Sequence, residues 1–72
     1  MRELVRTNNP VLLSWIQSLL RQEGIESFIF DSHMSVLEGS ANAIPRRLMV
    51  VDDEYELARQ TMTDAGEGQH LV

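Results

Sequence analysis

Thr7-Asn8-Asn9-Pro10-Val11-Leu12-Leu13-Ser14-Trp15-Ile16-Gln17-Ser18-Leu19-Leu20-Arg21-Gln22-Glu23-Gly24-Ile25 is the stretch that decides the fold. Asn9 can cap free backbone N–H groups with its side chain, and Pro10 suits the first helical position. Leu12, Leu13, Ile16, Leu19 and Leu20 recur at helical spacing and form one apolar stripe. Gly24 can take the left-handed conformation that stops a helix, with Ile25 placed to fold back on the last turn. The spacing predicts a helix over about 10–23.

Working outward, Glu3 to Thr7 reads as a short strand closed by the turn-prone pair Asn8-Asn9. Ile25 to Asp31 and Arg46 to Asp52 are rich in β-branched and aromatic or aliphatic residues and read as two more. Asp52 or Asp53 then caps a second helix over about 53–65, whose acidic first turn suits the helix dipole. Tyr55, Ala58, Met62 and Ala65 supply its inner face. The tail after Gly66 carries a second glycine, and 67–72 reads as frayed. A short fourth strand over Gln69 to Val72 is the alternative.

The order is β-α-β-β-α in one domain over 1–66. Right-handed crossovers on a shared sheet give the α+β, ferredoxin-like split sandwich, with both helices on one face of a three-stranded sheet. The first and third strands then lie side by side, and the second pairs with the third. Two helices cover only one sheet face, so strands should alternate apolar with polar. Phe28-Ile29-Phe30 and Leu48-Met49-Val50-Val51 do not. At least one large apolar side chain per strand should therefore face away from the helices, and such a patch marks an interface. Self-association through this face is the expectation; the alternative is that the 31–45 loop folds over it.

The chain has 72 residues, no cysteine, and a formal net charge of −5 from six arginines against eleven acidic residues. Disulfides and thiolate chemistry are excluded. A nucleic-acid binder needs a basic stripe to displace counterions, and Arg2 with Arg6 and Arg46 with Arg47 are only two small clusters. No membrane span or secretory leader is legible, which predicts a cytoplasmic protein.

The connection from Asp31 to Arg47 is long for a compact domain, where about 4–6 residues are usual. Long loops on rigid scaffolds meet ligands and partners. Its candidate binding residues are Asp31, His33, Met34, Glu38, Gly39, Ser40, Arg46 and Arg47. Asp31 and His33 share a side if the backbone is extended. Gly39 permits close backbone approach, and paired arginines can hold a carboxylate or phosphate by bidentate bonds. Plainer readings stand beside these: His33 bonded to nearby backbone, Arg46 and Arg47 as charged guards of a sticky strand. Only His33 and His70 are available as imidazole ligands, too few for a zinc site, so no metal or cofactor is expected. Trp15 borders the apolar stripe and reads as half-buried packing. Asp52, Asp53, Glu54 and Glu56 are explained by helix capping. No Ser/His/Asp set can be assembled, so no enzyme activity is expected.

The opening Glu3-Leu4-Val5-Arg6-Thr7-Asn8-Asn9-Pro10-Val11, the helix end Gly24-Ile25-Glu26, Asp31-Ser32-His33-Met34-Ser35, Gly39-Ser40 and Pro45-Arg46-Arg47-Leu48-Met49-Val50 carry a resemblance. From Arg2 to about Gly66 the chain resembles the small bacterial domain-of-unknown-function family labelled "putative signal transducing protein". The resemblance implies a cytoplasmic ferredoxin-like domain, loosely akin to P-II-type nitrogen-regulatory proteins. It brings no catalytic residues. The only tyrosine, Tyr55, falls on the second helix rather than on a signalling loop, so nucleotide binding and uridylylation are not carried over.

The expectation is a non-catalytic regulatory module that meets a protein partner or a small anionic ligand. A minimal acylphosphatase-like enzyme and a His33-based metal-responsive sensor are the alternatives. The first lacks a glycine-rich phosphate cradle, since Thr7-Asn8-Asn9-Pro10 has no glycine.

Overall fold

Capping chemistry sets the element boundaries. The computed structural model describes residues 1–30 and 45–72. Strand β1 (Arg2–Thr7) leads into helix α1 (Pro10–Gln22). Asn9 Oδ1 accepts the N–H groups of Val11 at 3.0 Å and Leu12 at 3.2 Å. At the other end Gly24 takes φ +78°, the Gly24 N–H reaches the Arg21 carbonyl, and the Ile25 N–H reaches the Leu20 carbonyl. These two bonds satisfy carbonyls that a helix end leaves orphaned.

Strands β2 (Ser27–Phe30) and β3 (Arg46–Val50) follow, then a 3-10 turn (Asp52–Glu54) and helix α2 (Tyr55–Asp64). Neither Asp52 nor Asp53 makes the expected side-chain cap. The Asp52 carboxylate instead meets the N-terminal ammonium at 3.1 Å. Ala65, expected on the inner face, is the exposed C-cap residue of α2. Gly66 then repeats the Gly24 device at φ +80°, with Gly66 N–H to Thr63 and Glu67 N–H to Met62.

The sheet order is β1-β3-β2, antiparallel throughout, as the split β-α-β-β-α arrangement requires. Leu13, Ile16 and Leu20 of α1 and Tyr55, Ala58 and Met62 of α2 are buried in one core with Leu48 and Val50 of β3. Each large side chain buried there contributes about 1.5–3 kcal/mol. The β1 register slips between Glu3 and Val5. A bulge there lets neighbouring Leu4 and Val5 both enter the core, fully buried.

The fourth strand is reduced to one bridge. After a second 3-10 turn (Gly68–His70), Leu71 pairs antiparallel with Val5, and the Val72 N–H donates to the Leu4 carbonyl at 3.1 Å.

Candidate functional site

The strand register writes out the sheet face that points away from the helices. Arg47 lies between Arg6 and Phe30, and Met49 lies between Glu3 and Phe28. Leu48 and Val50 are buried in the core, so strand alternation turns Arg47, Met49 and their cross-strand partners the other way. The face has two halves. Phe28, Phe30 and Met49 form an apolar half over β2 and β3; Glu3, Arg6 and Arg47 form a charged half over β1 and β3.

The charged half is organised by Glu3. Its carboxylate accepts from Arg6 Nε at 2.6 Å and Nη2 at 2.9 Å, a bidentate pair. Those bonds hold the Glu3 carboxyl below the usual carboxylate range; partial burial opposes this, and the positive charges of Arg6 and Arg47 reinforce it. Arg47 is exposed and makes no ion pair among the described residues. The half thus carries one net positive charge directly beside Phe30.

The expected large apolar side chain facing away from the helices is present on β2 and β3 but absent from β1. The bulge is the reason: it sends Leu4 and Val5 inward and leaves Glu3 and Arg6 outside. Arg46 and Arg47 part company, because Arg46 lies opposite Thr7 on the side of Leu48 and Val50. Asp31, His33, Met34, Glu38, Gly39 and Ser40 lie outside the described residues.

Among the described residues no group of three or more His, Asp or Glu side chains is placed to hold a metal ion. The N–H groups at the start of α1, where an acyl phosphate would sit, include the two already taken by Asn9. No helix among the described residues is long and apolar enough to cross a membrane.

One contact has no forerunner in the sequence reading. Trp15, 47% exposed, donates its indole N–H to Glu67 Oε2 at 3.1 Å. Glu67 Oε1 faces His70 Nε2 at 3.3 Å. Gly66-Glu67 repeats the helix-stop pattern of Gly24-Ile25, and that was the available signal.

Fold and face together define a small ferredoxin-like α+β domain with one half-apolar sheet face. The chain belongs to the family described as "Putative prokaryotic signal transducing protein", whose model matches residues 1–66. This bears out the resemblance read from Arg2 to about Gly66, and the family's description points to a general regulatory or interaction role. No curated protein matches the chain.

Proposed function

We propose that the protein is a non-catalytic, cytoplasmic interaction module in signal transduction, and that a protein partner docks on the open face of β2 and β3. The observation that carries this reading is Phe30 beside Arg47: a large, 42% exposed aromatic next to a guanidinium with no ion-pair partner among the described residues. Aromatic residues and arginine dominate binding energy at protein interfaces. The matching partner offers an apolar anchor for Phe28, Phe30 and Met49, flanked by a carboxylate for Arg47.

The chain leaves β2 at Phe30 and re-enters β3 through Pro45, so the 31–44 connection departs from the same end of this face. That supports a second contact through the connection, with Asp31, His33, Met34, Glu38, Gly39 and Ser40 as its candidate residues. The net charge of −5 argues against a phosphate backbone as the partner. Occupied N–H groups at the start of α1 argue against acyl-phosphate chemistry; incubation with a generic acyl phosphate should release phosphate no faster than buffer does.

Photo-crosslinking in cells tests the reading. A benzophenone side chain at position 30 should trap one discrete protein other than a second copy of this chain, and Arg47→Glu in the same chain should abolish that adduct. The same probe at Leu57, on α2, should trap nothing specific. Adducts at Leu57 but not at Phe30 would overturn the proposal.

A further inference from the structure

We infer that the outer edge of β2 is a self-association site whose occupant is β2 of a second copy, paired antiparallel about Ile29. This inference does not depend on the docking reading above.

Backbone directions at that edge follow from hydrogen bonds at the opposite side of the sheet. The Leu4 carbonyl accepts from Val72, so Leu4 faces away from β3 and Val5 bonds inward to Leu48. Alternation along β3 then turns Leu48 toward β1, and Arg47 and Met49 toward β2. Phe28 and Phe30 therefore bond to β3, while Ser27 and Ile29 turn their N–H and C=O groups outward. Ser27 agrees independently, since its carbonyl accepts from Gln17 Nε2 at 3.2 Å. Among the described residues no strand pairs with this edge.

Natural edge strands are guarded by charge, proline, a bulge, a covering element or very short length. Ser27–Phe30 is short, at four residues, but it has no charge and no proline, and its register against β3 is unbroken. Ile29 and Phe30 remain 39% and 42% exposed.

The strand is its own complement. Directly opposed residues of an antiparallel pair share a face, so centring on Ile29 sets Ile29 against Ile29 and Phe28 of each copy against Phe30 of the other. The two Ile29 residues exchange N–H···O=C bonds across a two-fold axis, which closes the assembly at a dimer. No charged residue opposes another in these pairs. Centring on Ser27 would instead set Glu26 against Phe28. Two three-stranded sheets become one continuous sheet, and the apolar halves of both open faces meet at the axis.

Sedimentation velocity across micromolar to millimolar protein tests this. The intact chain should shift reversibly from monomer to dimer. Ile29→Lys places like charges face to face at the axis and should weaken dimerisation about tenfold or more. Ile29→Pro removes the outward N–H without touching the β3 ladder and should act likewise, with circular dichroism checking that both variants fold. Leu57→Lys, on the far helix, should dimerise as the parent does. A parent chain that stays monomeric throughout, or an Ile29→Lys variant that dimerises unchanged, would overturn the inference.

Discussion

Glu3 and Arg6 stand three residues apart on β1, yet lie on the same face of the sheet and form a bidentate ion pair. In a regular strand, residues three apart face opposite ways. The bulge between Glu3 and Val5 adds the extra residue that reverses the alternation. One irregularity thus both fills the core with Leu4 and Val5 and charges the open face.

That pair predicts a specific acid response. Because the Arg6 hydrogen bonds lower the folded-state pKa of Glu3, its contribution to stability is present above the usual carboxylate range. It is lost as pH falls through the lowered value. Arg6→Gln should move the Glu3 titration, followed by carboxyl carbon NMR, back toward the usual range and flatten the acid limb of the stability curve. The change in stability should be small, since the pair is partly exposed and screened.

The core should be intolerant where the sheet meets both helices. Leu48→Ala removes a fully buried side chain, at a cost of about 2–5 kcal/mol. Small domains have total stabilities of about 5–15 kcal/mol, so much of the margin should go. Leu57→Ala, at a half-exposed site on α2, should stay within about 0.5 kcal/mol in the same urea titration.

The two helix starts should respond unequally. Asn9→Ala deletes an acceptor of two backbone N–H groups and should cost about 1 kcal/mol. Asp53→Ala deletes no cap bond and should cost no more than about 0.5 kcal/mol through the helix dipole. Urea unfolding of both variants checks the contrast.

Trp15 is the only tryptophan, so its fluorescence reads the Glu67 contact directly. Glu67→Ala should shift Trp15 emission and cost about 1 kcal/mol. Gly66→Ala, forced to hold φ +80° in otherwise open space, should cost about 1–2 kcal/mol and perturb the same emission band.

Helix α1 was legible because Asn9, Pro10, the leucine stripe and Gly24 all give the same answer. The strand order followed from length and handedness. Which residues of β1 face the core was not legible, because regular alternation sends only one of the adjacent Leu4 and Val5 inward, and the bulge that sends both is set by pairing with β3. Asp52 and Asp53 looked like caps because their type suits the role; the nearby N-terminal ammonium, a tertiary neighbour, claimed Asp52. Of the candidate site, Arg47 is placed on the open face and Arg46 on the other. The remaining candidates fall in 31–44, outside the described residues.

Radical footprinting tests most directly whether the open face is where a partner docks. It should be run on the Ile29→Lys variant so that self-association does not contribute, comparing purified protein with protein in extract of its host. Phe28, Phe30 and Met49 should be labelled when pure and protected in extract, while Val11 and Leu57 label equally in both. Equal labelling of Phe28, Phe30 and Met49 in both states, or protection confined to the helices, would contradict the account.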